Sequence, residues 1–164
     1  MNPRVSTAHH ALVATHGPRV WSLCRRLSRS PEDDYQAIWE KVFRSIDRID
    51  TSRDLAPWIA TLARRHLIDR HRRQKVRGPV VELHEVASTR PDPDREAAAR
   101  EGFGDLEQAL THLPEGQRRV VVLHHIQGLS MERIAAEEGV ALGTVKSRLH
   151  RGRAELVRRL RGHR

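Results

Sequence analysis

Thr144, Lys146, Ser147, Arg148, His150, Arg151 and Arg153 stand close together in the chain, with the apolar Val145 and Leu149 among them. Wound into a helix, the two apolar residues turn one way and the cations and hydroxyls turn the other. Such a surface breaks no bonds. Its guanidinium and ammonium groups bind phosphate oxygens and reach the acceptor edge of guanine in a major groove. A second cationic run, Arg70, Arg72, Arg73, Lys75 and Arg77, follows an apolar stretch in the first half of the chain. Guanidinium groups of this kind give affinity for a phosphate backbone without reading sequence. Catalytic alternatives find little support. There are 11 histidines, including His9-His10 and His124-His125, but no His-x-x-x-His with a supporting Glu. A glycine-rich phosphate loop and a Ser or Cys nucleophile motif are also missing. The expectation is a binding protein without enzymatic activity, metal or cofactor, with a metal-dependent nuclease as the minor alternative.

The elements that must hold these residues read as helices throughout. In GLSMERIAAEEGVALGTVKSRLHRGR, Gly128 to Arg153, Ser130 can cap a first helix carrying Ile134 and Ala135. Gly139 can take the left-handed turn, and a second helix follows with Val145 and Leu149 inward, which is helix-turn-helix spacing. Upstream, Tyr35, Ile38, Trp39, Val42, Phe43 and Ile46 mark an amphipathic helix begun by Pro31. Val13 to Leu27 predicts a helix packed against it, and Pro57 opens one carrying Trp58, Ile59, Leu62, Ala63 and Leu67. Trp21, Trp39 and Trp58 all fall at core-like positions. Further helices are expected from about Arg95 to Leu113, over Gln117 to Ile126, Met131 to Glu138, and Leu142 to Leu160. The fold class is all-α: two small helical domains, 1–77 and 102–164, joined by a flexible linker, 78–101, that contains Pro79, Pro91 and Pro93.

Charge follows the same division. The net charge is +9 over 164 residues. Residues 1–77 hold 16 basic and 8 acidic side chains, 78–101 hold 3 and 6, and 139–164 hold 8 and 1. Two basic patches separated by acidic sequence suit two contacts on one long polyanion. No apolar run reaches the roughly 20 residues of a membrane helix, and the amino terminus lacks a signal pattern. A soluble, cytoplasmic protein without membrane insertion is expected. The lone Cys24 permits no internal disulfide, and its helix-core spacing predicts a buried, inert thiol.

Leu110 to Leu156 resembles region 4 of bacterial sigma factors of the extracytoplasmic-function (ECF) group. The shared features are the Leu-Pro break, Gln-Arg, the apolar helix, Gly-x-Ser, Ile-Ala, Gly and Thr-Val-Lys-Ser-Arg-Leu-x-Arg. PEDDYQAIWEKVF, Pro31 to Phe43, resembles region 2.2 through Asp33 and Gln36, and Ala56 to Arg73 resembles regions 2.3 and 2.4. Three positions depart from the pattern. Arg133 replaces a Glu that would complete a capping box, Ala141 stands where a capping residue often opens the recognition helix, and Arg65 replaces a common Asn.

The resemblance implies a sigma factor that binds core RNA polymerase, through its beta and beta-prime subunits, and directs initiation at promoter DNA. By it, Asp33, Gln36 and Glu40 would face the polymerase. Arg64, Arg65, Arg72 and Arg73 would hold the minus-10 strand, and the turn Asp47 to Leu55 would capture an unstacked base. Thr144, Lys146, Ser147, Arg148, His150, Arg151 and Arg153 would read the minus-35 element. An anti-sigma factor is the further partner the resemblance implies. The competing reading is a polymerase-independent regulator, which would bind duplex DNA unaided, usually as a dimer on a palindrome.

Overall fold

A computed structural model describes residues 3–76 and 97–161. The chain divides into two compact units, Met1–Gly78 and Pro79–Arg164. Most of the expected linker lies outside the described residues, as does Arg95, where a helix was expected to begin.

In the first unit three helices pack pairwise: α1 (Pro3–Leu27), α2 (Pro31–Ser45) and α3 (Ala56–Val76). α1 starts well before the periodic stretch that opens at Val13, and it continues through Pro18. Proline inside a helix removes one backbone hydrogen bond. Beside it, the buried Gly17 leaves room for the tip of the Tyr35 ring from α2, because a Cβ there would lie 2.7 Å from the Tyr35 hydroxyl. α2 begins with Pro31 and three carboxylates, Glu32, Asp33 and Asp34, which suit the positive end of a helix. Ser30 adds no side-chain cap. α3 is started by Asp54, whose carboxylate accepts the Ala56 N–H at 2.9 Å.

The core between these helices holds Leu23 and Cys24 from α1, Ile38 and Val42 from α2, and Ile59, Ala63 and Leu67 from α3. Each fully buried Val, Leu or Ile side chain of this kind contributes roughly 1.5–3 kcal/mol. Of the three tryptophans expected in the core, only Trp39 is buried. Trp21 and Trp58 are half-buried. Trp21 instead meets Tyr35 edge-on, with ring centroids 5.6 Å apart.

The second unit contains α4 (Ala97–Thr111), α5 (Glu115–Val121), α6 (Met131–Glu138) and α7 (Leu142–Arg161). α7 is its hub, packing on α4, α5 and α6. The expected single helix from Gln117 to Ile126 is instead α5 followed by a π-helical turn, Val122–Ile126. Val120, Val121, Val122 and Leu123 are all buried, so the segment is enclosed on more than one side. Leu129 N–H returns to the Leu123 carbonyl at 3.0 Å, and Gly128 takes a φ of 69° to make that return.

Candidate nucleic-acid interface

α6 and α7 form the expected helix-turn-helix. Ser130 Oγ accepts the Arg133 N–H at 3.1 Å, opening α6. Gly139 closes it at φ 64°, in the left-handed region where a side chain is strained. With Glu absent from position 133, the reciprocal cap does not form, and Arg133 Nε binds Glu137 along the helix at 2.6 Å. Ala141 has no side chain to cap α7. The first turn is closed by backbone alone, with Thr144 N–H and Val145 N–H reaching the Ala141 carbonyl at 3.0 and 3.2 Å.

Val145, Leu149, Gly152 and Leu156 make the buried stripe of α7. The opposite side presents Lys146, Ser147, His150, Arg151 and Arg153 to solvent. Among the described residues, Arg151 and Arg153 form no ion pair. Thr144 is half-buried, and so is Arg148, whose guanidinium lies about 3.1 Å from where a Cβ on Gly116 would stand. Arg148 is thus laid against the first turn of α5, apart from the fully exposed set. Nearer the end of α7, Glu155 binds Arg158 and Arg159. Chiefly through Arg158, this pulls its carboxyl down to about 2. Its own backbone N–H, then Ser130 and Lys146, hold Glu132 below the ordinary carboxylate value, so one acidic group sits beside the cationic face. Burial, His124 and Arg153 together push His125 down.

Gly152 was not singled out by its sequence context, yet α5 packs directly over it. A Cβ there would meet Val121 Cγ2 at 2.8 Å and Gln117 at 3.4 Å. Two buried charges were also missed. Arg119, 0% exposed, binds Glu138, 4% exposed, through Nε at 3.1 and 3.2 Å and Nη2 at 2.7 Å. A signal existed: Arg119 stands three and four residues before the buried Val122 and Leu123, and Glu138 four after Ile134, so both lie on inward helix faces.

In the first unit Arg65, Arg72 and Arg73 are exposed on α3, and Arg64 is half-buried. Arg65 and Arg72, seven residues apart, share one face, and Arg73 Nε folds back to the Asp69 carbonyl at 3.3 Å. The preceding turn is organised by Asp50. Its carboxylate accepts the Ser52 N–H and hydroxyl at 3.0 and 2.6 Å and is held below its ordinary value chiefly by that hydroxyl.

On α2, Asp33, Gln36 and Glu40 are exposed and share one face. Glu40 pairs with Arg44 at 3.2 Å, and Asp33 lies 3.8 Å from Arg70. Gln36 also borders an open groove of about 630 Å³ between α1 and α2, lined by Val13, Gly17, Trp21, Glu32 and Tyr35.

Asp34 turns away from that face and is buried. It accepts from His66 Nε2 at 2.7 Å, and from Ser28 and Arg70. Burial drives its carboxyl upward, but the His66, Ser28 and Arg70 hydrogen bonds outweigh this and hold it below its ordinary value. His66 Nδ1 lies 2.8 Å from Lys41 Nζ. Lys41 can only donate and Asp34 accepts, so the ring accepts at Nδ1 and donates from Nε2. Nothing in the local sequence singles out Asp34. His66 had a signal, standing between Ala63 and Leu67 on the inner stripe of α3. Nearby, burial and then Asp34 push the Cys24 thiol up to about 12, which leaves it a poor nucleophile. Among the described residues, no helix is long and apolar enough to cross a membrane.

Comparison with known proteins agrees with both halves of this geometry. The family models for Sigma-70 region 2 and Sigma-70, region 4 match residues 12–77 and 103–156. The chain is 36% identical over 151 residues to ECF RNA polymerase sigma factor SigE of Mycolicibacterium smegmatis, covering 88% of this chain and 58% of that protein's length. It is 32% identical over 155 residues to RNA polymerase sigma factor CarQ of Myxococcus xanthus, covering 91% and 87%. Among solved structures it is similar to the sigma factor RpoE of Bartonella quintana in complex with the anti-sigma factor NepR. That match has a TM-score of 0.58 at 25% identity, over 94% of this chain and 98% of that one. The chain, with a region 2 helical unit and a region 4 helix-turn-helix in that order, belongs to the sigma-70 family of RNA polymerase sigma factors, in its ECF group.

Proposed function

We propose that this chain binds core RNA polymerase, through its beta and beta-prime subunits, and directs promoter-specific transcription initiation by reading minus-35 and minus-10 elements and assisting DNA opening. The observation that carries this reading is the exposed face of α7, where Lys146, Ser147, His150, Arg151 and Arg153 stand together on the second helix of a helix-turn-helix. That face suits base edges and phosphates of the minus-35 element, with Thr144 and Arg148 at its buried margin. Arg64, Arg65, Arg72 and Arg73 on α3 take the phosphates of the minus-10 strand, and the Asp50-ordered turn before α3 receives an unstacked base. Asp33, Gln36 and Glu40 on α2, with the groove beside Gln36, take the polymerase. Residues 1–77 and 102–164 serve as the two functional domains and 78–101 as their tether. A second partner is an anti-sigma factor, by similarity to the solved RpoE complex. The site of action is the cytoplasm.

The test is transcription in vitro with purified protein, bacterial core polymerase and fragmented genomic DNA, with transcript starts mapped. Discrete starts sharing two spaced upstream elements are expected. If an active core, validated with another sigma factor, gives no protein-dependent starts while the free protein binds duplex DNA unaided, the chain is a polymerase-independent regulator.

A further inference from the structure

The buried pair between Arg119 and Glu138 does more than hold the second unit together. Two charges removed from water cost several kcal/mol each, and a well-packed apolar pair is often as stable or more so. What the ionic pair supplies is geometry: a guanidinium forked onto a carboxylate has one preferred arrangement, whereas apolar contacts tolerate sliding. Its location matters. Arg119 is on α5, between Gln117 and Val121, the two residues that meet Gly152 of α7. Glu138 is the last residue of α6, directly before the left-handed Gly139. α7 is therefore docked on α5 directly, and α6 is docked on the same helix by the ion pair, with the turn between them at the anchored end.

From this we propose that Arg119 and Glu138 are positioning residues that set the angle at which α7 is presented, and thereby the selectivity for the minus-35 element. The inference rests on the function proposed above. The pair touches no base. Its effect is on discrimination between elements, while phosphate attraction, carried by exposed cations on α7, is left alone.

The experiment uses holoenzyme reconstituted with the full chain, and promoter fragments recovered by start mapping whose minus-35 element is intact or scrambled. The R119M/E138L double variant is expected to keep the thermal midpoint of the parent. Its preference for the intact over the scrambled element should fall at least 5-fold, with affinity for the scrambled fragment within about 2-fold of the parent. R119K keeps the charge but loses the fork, and is expected to lose part of the same preference while still folded at the assay temperature. It decides the matter if the double variant does not fold. Parental discrimination in a folded R119M/E138L variant, or in R119K when that is the only one to fold, overturns the inference and leaves the sigma assignment standing. A parent that transcribes both fragments equally overturns the minus-35 reading itself.

Discussion

The two units bury charge in opposite ways. In the first, Asp34 collects Ser28, His66 and Arg70, and the chain of contacts runs to the surface at both ends, through Lys41 and through the part-exposed Arg70. In the second, Arg119 and Glu138 pair out of reach of solvent, with side chains only 1% and 2% exposed. The open network contains an imidazole and a carboxylate reached by exposed groups. The closed one is shut away from solvent at both side chains. Both tie one helix to another: α3 to α2 in the first unit, α6 to α5 in the second.

Breaking the closed pair is the sharpest way to separate them. Arg119→Ala leaves Glu138 buried without its main partner, and the expected cost is about 3–5 kcal/mol. Amide exchange resolved by segment checks this: protection should fall across α5 to α7 and stay unchanged in α1 to α3. A uniform loss would mean that the two units unfold as one.

The open network should yield less. Asp34→Asn keeps the shape and removes the charge, costing roughly 1–3 kcal/mol as the buried hydrogen bonds weaken, with the loss confined to α1 to α3. The same variant tests acid sensitivity. The folded Asp34 carboxyl sits below its unfolded value, near 3.9 for an ordinary Asp. Its contribution is therefore complete above about pH 4 and lost as pH falls through the lower folded value. Stability of the first unit measured across that window should decline with falling pH in the parent and decline less in Asp34→Asn. Equal slopes would remove Asp34 as the cause.

Smallest is the exposed cap. Ser130→Ala loses one hydrogen bond to the Arg133 N–H, and about 1 kcal/mol is expected from thermal unfolding. This calibrates how little a solvent-facing polar contact of the second unit contributes beside its buried pair.

Much of this architecture is legible in the sequence because its signals are local. The Ser130 cap, the Gly139 turn and the Val145–Leu149 spacing all act within one helical turn, and they place α6 and α7 as found. The exposed cations of α7 follow from the same periodicity. The features that escape are set by neighbours far along the chain. Asp34 is buried because His66 and Arg70, more than thirty residues on, bring it donors. Gly152 matters because α5 crosses there. The start of α1 ten residues before Val13 has no apolar periodicity to announce it. The π turn at Val122–Ile126 interrupts an apolar stretch that holds no Gly or Pro to announce it.

The central claim, that α7 and α3 serve different promoter elements, is tested most directly by selecting transcribed promoters from a randomised library with three holoenzymes: parent, Arg151→Ala and Arg65→Ala. The expected result is that Arg151→Ala relaxes or weakens selection in the upstream element alone, and Arg65→Ala lowers output through the downstream element alone. If both variants lost selection equally in both elements, or either altered the other's element, the division of labour between the two units would be contradicted.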